Sequence, residues 1–318
     1  MSSAVRVEGL GRSFGERSRR RVDALQEVSF SVAEGSVVAV LGANGAGKTT
    51  LTKMLSTLLL PTAGRAWVLG HDVVAEVAAV RAQTTAVFGG DRGLYTRLSG
   101  RDNLRFFAML AGVGRRELAA GVPQTLEQVG LSEVAHRRVE TYSKGMRQRL
   151  HIAIGVISRP RVLLLDEPTV GLDPLEAARL RKSVREMART GTTVLLTSHY
   201  LLDVEELAER VILLDRGRLV SDQPLRDFAA QAGYAAVVEL RCHGTMPDLA
   251  SLLPATATLD RAETTEAGWT ASLRLSAWGG EVFSELGALL AAVHVSDIQV
   301  RPARLEEAYA RLSSGDTA

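Results

Sequence analysis

Residues 42–50 read GANGAGKTT, preceded by SVVAVL at 36–41 and followed by LTKMLSTLL at 51–59. The preceding run is short and mostly apolar, the signature of a parallel strand buried on both faces. The following run places Leu51, Met54, Leu55 and Leu58 at helical spacing, which predicts a helix over 49–59. Strand, glycine loop and helix in that order form a phosphate-binding unit, and the loop fits G-x-x-x-x-G-K-S/T. Gly42, Gly45 and Gly47 let the backbone curl, so that successive N–H groups from Asn44 through Ala46 to Thr50 point at phosphate oxygens. The helix N-terminus adds partial positive charge. Lys48 is expected to hold the β- and γ-phosphates of ATP, and the Thr49 hydroxyl to bind Mg²⁺. Only four of the 38 Lys and Arg residues are lysine, so a lysine here is not background composition.

Outward from this loop, LLLDEP at 163–168 ends an apolar strand in two acids. An acid at such a strand end is not placed there for packing. Asp166 can reach Mg²⁺ through water, and Glu167 can orient the attacking water or take its proton. Taken alone, such an acidic pair would equally be a helix cap or a solvated strand end. Short strands at 5–10 and 28–32 open the chain, and helical patterns cover most of 99–135, then 144–157 and 175–189. Further strands follow at 162–165 and 193–197. Alternation of this kind argues for an α/β fold with a mainly parallel sheet covered on both faces. Beyond about residue 225 the order becomes β-α-β-β-α-β, with strands at 235–240, 256–262, 269–275 and 295–300 and helices at 247–253, 281–292 and 304–312. That order predicts a small ferredoxin-like α+β domain over 226–318.

Residues 3–222 resemble the nucleotide-binding subunit of an ATP-binding cassette (ABC) transporter, a P-loop NTPase with an antiparallel β subdomain and a helical subdomain, here about 90–160 of a domain spanning 1–225. The resemblance rests on GANGAGKTT, on YSKGMRQR at 142–149 in the place of that family's LSGGQ signature, on LLLDEP, and on TSHY at 197–200. It implies that Ser143 and the Gly145 backbone contact the γ-phosphate of ATP held on an opposite cassette, helped by the helix dipole. PTVGLDP at 168–174 matches the family's D-loop, with Asp173 reaching across the dimer, and His199 matches the switch histidine that senses γ-phosphate. Phe14 sits where the family stacks an aromatic ring on adenine, although a core position would also suit it. One position departs from the pattern: Gly90 stands where the family usually has glutamine. Gln83 lies too early to replace it, whereas Asp91 or a water is a candidate.

A split site of this kind needs a second cassette, in the simplest case a second copy of the chain, and a permease to drive. Residues 90–135 are where the family contacts the permease's coupling helix. The signature, SHYLLDVEEL and the ending VRPARLEEAYARL resemble the branch that exports drugs, antibiotics and lipid-like compounds through a separate integral-membrane chain. A soluble cassette clamping ribosomes or DNA is the alternative from another class. A regulatory ATPase, whose C-terminal domain senses a ligand through Trp269, Trp278 and His294, is a third; ordinary core and surface positions are the simpler account of those residues.

Composition bounds these readings. The 318 residues are 46% hydrophobic and 23% charged with net charge +2, ordinary for a globular chain and no reason to expect nucleic acid. Arg17, Arg19, Arg20 and Arg21 form a basic cluster, either a solvated loop or a contact for phosphates or acidic headgroups. Cys242 is the single cysteine, so no intrachain disulfide forms, and a buried thiol is expected. No secretory signal or 20-residue apolar stretch appears. The expected location is cytoplasmic, peripheral on the inner face of the cell membrane through the permease.

Overall fold

A computed structural model describes residues 3–15, 21–89, 93–265, 267–277, 279–291, 293–302 and 305–314. Two 12-residue strands, β1 (Ser3–Phe14) and β2 (Val22–Ala33), open the chain. Both outrun the expected 5–10 and 28–32 because their ladder is broken by register shifts between Val7 and Leu10 and again after Leu10. Each bulge interrupts the period-2 pattern by which a strand is recognised. All five residues of β3 (Val37–Leu41) are buried.

The glycine loop then feeds α1 (Lys48–Leu55), which stops earlier than the expected 59. Next come β4 (Ala63–Val68), β5 (His71–Asp72), α2 (Val77–Gln83) and β6 (Thr84–Phe88). The long helical stretch is in fact α3 (Gly100–Leu110), α4 (Arg115–Gln128) and a 3₁₀ turn at Ser132–Val134. Gly112, with φ 82°, and Gly114, at the start of α4, separate the two helices. The Ser99 hydroxyl accepts from the Asp102 N–H and starts α3. The chain continues through α5 (Lys144–Val156), β7 (Val162–Asp166), α6 (Pro174–Arg189), β8 (Thr193–Ser198), α7 (Leu201–Leu207), β9 (Arg210–Asp215) and β10 (Arg218–Pro224).

These strands form an antiparallel sheet ordered β2-β1-β4-β5 and a six-stranded sheet ordered β10-β9-β3-β8-β7-β6. In the second sheet β9, β3, β8, β7 and β6 are parallel. Its register positions the site: Leu41 faces Ser198, and Asp166 faces both Thr197 and Phe88. The glycine loop, the acidic pair and the histidine therefore leave one carboxyl edge together, where open α/β sheets bind ligands.

Chain contacts divide the molecule into Met1–Gln223 and Pro224–Ala318. The smaller unit holds α8 (Leu225–Ala230), β11 (Ala236–His243), α9 (Leu249–Leu252), β12 (Ala257–Thr265), β13 (Gly268–Leu275), α10 (Gly280–Ala291), β14 (His294–Pro302) and α11 (Leu305–Ser314). Its sheet is antiparallel in the order β12-β13-β11-β14. Alternate residues Val238, Leu240 and Cys242 of β11 pack with Trp269, Leu273 and Leu286 in one core. Burial pushes the Cys242 thiol pKa up. Trp269 is a core residue and His294 is exposed, so the two do not line a common pocket. Trp278 lies outside the described residues, as do Arg17, Arg19 and Arg20 of the basic cluster.

Candidate functional site

The glycine loop is tight because its neighbours leave no room for side chains. Gly47 has φ 102°, and a Cβ there would stand 2.5 Å from the Ala24 carbonyl and 2.7 Å from Leu25 Cδ2. At Gly42 a Cβ would strike the Leu214 carbonyl. Ala46 is buried, and its N–H donates to the Ala43 carbonyl at 3.1 Å. α1 starts on Gly47 with no side-chain cap, so the N–H groups of its first turn remain available to an anion.

Lys48, only 4% exposed, donates from Nζ to the carbonyls of Gly42 at 2.7 Å and Ala43 at 3.1 Å. It also lies 3.3 Å from Glu167 Oε1. His199 Nδ1 approaches that same oxygen at 3.2 Å, and the imidazole lies against Tyr200, tilted by 37° with ring centroids 4.3 Å apart. One carboxylate oxygen thus gathers the ammonium and the imidazole. The backbone at Glu167 is left-handed, φ 50°, a conformation costing about 1–2 kcal/mol for a residue with a Cβ. Its N–H is pinned by the Thr197 carbonyl at 3.0 Å and the Thr197 hydroxyl at 3.1 Å.

Asp166 is held from both sides. The Thr49 hydroxyl donates to Oδ2 at 2.8 Å, and the Thr197 hydroxyl donates to Oδ1 at 2.6 Å. Thr197 is fully buried, and the sequence reading did not single it out. Its position directly opposite Asp166 in the parallel register was the signal that would have found it.

A cleft of about 610 Å³ runs along this edge, lined by Asn44, Gly45, Lys48, Thr49, Asp166 and Glu167 among others. Gly47 and Thr50 also line it, as do Lys144 and Gln148 of the signature helix, which the sequence reading did not assign. Gly89 lines it too and donates its N–H to the Asp166 carbonyl at 3.0 Å. Gly90 and Asp91, the positions around the expected glutamine, lie outside the described residues.

The signature run builds a helix start. The Ser143 hydroxyl caps α5 by accepting from the Met146 N–H at 3.1 Å, and Asp173 caps α6 by accepting from the Glu176 N–H at 3.0 Å. Gly145 lies against Glu176, where a Cβ would stand 2.7 Å from Glu176 Cβ and Cγ. A Cβ at Gly171, between Pro168 and Asp173, would collide with the Lys144 ammonium. Arg149 Nη2 pairs with Glu176 Oε2 at 2.9 Å, while Arg149 Nη1 donates to the carbonyls of Val129 and Gly130, each at 2.9 Å. The two capped helix starts are therefore joined through one buried ion pair. Tyr142, next to Ser143, is buried, and desolvation raises its phenol pKa while its hydroxyl donates to the Val134 carbonyl at 2.7 Å.

A second buried network, also unseen in the sequence, converges on Asp203 of α7. Asp203 accepts from the Thr169 hydroxyl, from the Ser198 hydroxyl at 3.1 Å and from Arg181 Nη1 at 2.9 Å. It fixes the turn after Glu167 to the strand end before His199.

Ser143, Gly145, Asp173, His199 and Phe14 are not among the residues lining the cleft. Phe14 is 41% exposed, and the Arg12 guanidinium lies 4.6 Å from its ring centroid.

The family model described as ABC transporter matches residues 25–170. The chain is 37% identical over 317 residues to the daunorubicin resistance ATP-binding protein DrrA3 of Streptomyces coeruleorubidus, covering 99% of this chain and 97% of that protein. It is 40% identical over 230 residues to the doxorubicin resistance ATP-binding protein DrrA of Mycobacterium tuberculosis, covering 72% and 68%. Among solved structures, cbiO1 from Clostridium perfringens, described as part of the ABC transporter complex cbiONQ, superposes with TM-score 0.64. It is 25% identical and covers 71% of this chain and 90% of that chain.

Proposed function

The chain belongs to the ABC transporter family as one of its ATP-binding subunits, and we propose that it hydrolyses ATP to drive export of a drug-, antibiotic- or lipid-like compound through a separate membrane permease. The observation that carries this is the gathering of Lys48 and His199 on one oxygen of Glu167, beside the Thr49–Asp166 pair. In this proposal Lys48 takes the β- and γ-phosphates, which replace its carbonyl and carboxylate partners. The loop glycines, with Asn44, Ala46 and Thr50, supply the N–H groups around the phosphates.

Thr49 and Asp166 offer one hydroxyl and one carboxylate 2.8 Å apart, hard oxygen donors of the kind Mg²⁺ prefers. Bound there, Mg²⁺ would neutralise phosphate charge. Glu167 accepts the proton of the attacking water, and His199 orients Glu167 and answers to the γ-phosphate. Ser143 and the Gly145 backbone serve the nucleotide of a second cassette, with Asp173 crossing between the two, and Phe14 stacks on adenine.

The domain reading is part of this proposal: an ATP-binding domain over 1–225 and a ferredoxin-like accessory domain over 226–318. It is supported by the contact division at 223/224 and by the order β12-β13-β11-β14. No helix among the described residues is long and apolar enough to cross a membrane. Tyr95, Leu98, Met109 and Leu110 expose apolar side chains on and just before α3, within the segment proposed to meet the permease. The chain would then sit on the cytoplasmic face of the membrane through that permease, paired with a second copy of itself. The soluble clamp on ribosomes or DNA is not supported by any of the three relatives described above.

The test is a pull-down from detergent-solubilised membranes, with the tag on this chain and Glu167→Gln holding the ATP-bound state. A multi-span membrane protein recovered in stoichiometric amount is the expected result. Recovery of ribosomes or soluble chains alone refutes the exporter reading.

A further inference from the structure

Sheets normally protect their open edges, and the two edges of the C-terminal sheet differ in this respect. On β12 the ladder is broken between Leu259 and Arg261, a bulge of the kind that discourages further pairing. On β14 the one break falls early, between the pairs Arg241–Asp297 and Cys242–Val295. From Asp297 to Pro302 the register against β11 is unbroken, residue for residue. Among the described residues, no strand pairs with the outer side of that segment. None of the charges that natural edges point inward is present there: the residues opposite core-facing Leu240 and Val238 are Ile298 and Val300, each 39% exposed. The opposite face of β14 carries Asp297, Gln299 and Arg301.

This segment is complementary to itself. An antiparallel two-fold axis through Gln299 sets Asp297 of one copy opposite Arg301 of the other, twice, on the polar face. The same axis sets Ile298 opposite Val300, twice, on the apolar face. Cross-strand pairs of both kinds stabilise sheets. Moving the axis to Ile298 or Val300 sets Gln299 opposite Asp297 or Arg301 and leaves no opposite-charge pair. Only the centre at Gln299 satisfies both faces, and an isologous contact closes on itself without extending into fibres.

We propose that two copies of this chain join edge to edge through β14, centred on Gln299, making one eight-stranded sheet from two C-terminal units. This contact is separate from any pairing through nucleotide and needs none.

The test uses the full-length chain without nucleotide and with chelator, so that ATP-driven association does not contribute. Gln299→Cys faces its own copy across the axis at a distance that a disulfide spans. Mild oxidation is expected to give a covalent dimer at least tenfold faster than Glu281→Cys, an exposed position on α10. The native Cys242 is buried and serves as the internal blank. Added to Gln299→Cys, Arg301→Asp should slow the cross-link at least tenfold, and Asp297→Arg with Arg301→Asp should restore it. Because Arg301 also pairs with Glu239 in its own sheet, Ile298→Lys, altering an already exposed side chain, provides a second disrupting variant. In sedimentation the native chain should be dimeric and Ile298→Lys monomeric. A native chain that is monomeric without nucleotide, or a Gln299→Cys cross-link no faster than the Glu281→Cys control or indifferent to both variants, overturns the proposal.

Discussion

Replacing Glu176 by glutamine tests the junction between the signature helix and the turn that follows Glu167. Glu176 is 9% exposed and Arg149 4%, so both charges are largely out of water. Removing one partner of a fully buried pair costs about 3–5 kcal/mol, because the surviving charge is left uncompensated. Two features lower that figure here. Arg149 keeps the carbonyls of Val129 and Gly130, and glutamine retains an oxygen that can still accept. The 2.9 Å approach of Arg149 Nη2 to Glu176 Oε2 is also poorly aligned for a hydrogen bond, which makes the contact mainly ionic. The expected loss is therefore about 2–3 kcal/mol. At roughly 2–4 °C per kcal/mol for a domain of this size, the Tm falls by about 4–12 °C. Scanning calorimetry of the full chain reads it, with the shift confined to the larger unit's transition. Arg149→Met added to Glu176→Gln should recover part of the loss, since the stranded guanidinium is gone. A shift below about 1 °C, or a double variant worse than the sum of the singles, would refute the view that this pair joins the two helix starts.

Thr197→Val keeps the shape of a fully buried side chain but deletes the hydroxyl that donates to Asp166 and accepts from Glu167. Losing a hydrogen bond to a charged group costs about 1.5–3 kcal/mol. A lower Tm should appear together with a higher Mg²⁺ requirement for ATP turnover; unchanged Mg²⁺ dependence would mean that Asp166 does not need this support. Burial raises the Cys242 thiol pKa above its unfolded value, so the neutral thiol is favoured in the folded state. The stability this contributes is present below the unfolded thiol pKa and is lost as pH rises past it. A disulfide reagent at pH 8 should find no reactive thiol in the native chain and one after unfolding in urea, and rapid labelling of the native chain would contradict the burial.

What could be read from the sequence follows from how locally each feature is encoded. The loop 42–50 lies within one strand–turn–helix unit, and its glycines, lysine and threonine stand where that unit places them. Of the C-terminal strands, β13 alternates buried and more open residues throughout and β11 does so over its second half, which made them legible. β1 and β2 were truncated in the reading because their bulges hide the period. The hairpin β9–β10 and helix α2 were overlooked because short elements leave too few turns to establish one. α3 and α4 merged into one stretch because glycines at 112 and 114 break a helical pattern without changing its apolar composition.

Residues that act through others are the part a linear reading does not reach. Glu176 and Arg181 stand outside every motif, and Thr197, Arg149 and Asp203 stand inside one without a role that the motif assigns; the partners that define them lie 22 to 31 residues away. Thr197 and Asp203 matter because Glu167, the residue proposed to take the proton, stands on a left-handed backbone that its own segment does not favour. That conformation holds only if neighbours over-determine it. Thr197 does so from below, through two hydrogen bonds to the Glu167 N–H. Asp203 does so from beyond, by tying Thr169 to Ser198. His199, which shares Glu167 Oε1 with Lys48, lies between Ser198 and Tyr200, and the Ser198 hydroxyl bonds both the N–H and the carbonyl of Tyr200. A phosphate that draws Lys48 away from Glu167 therefore changes the balance on a carboxylate whose other partner is the histidine.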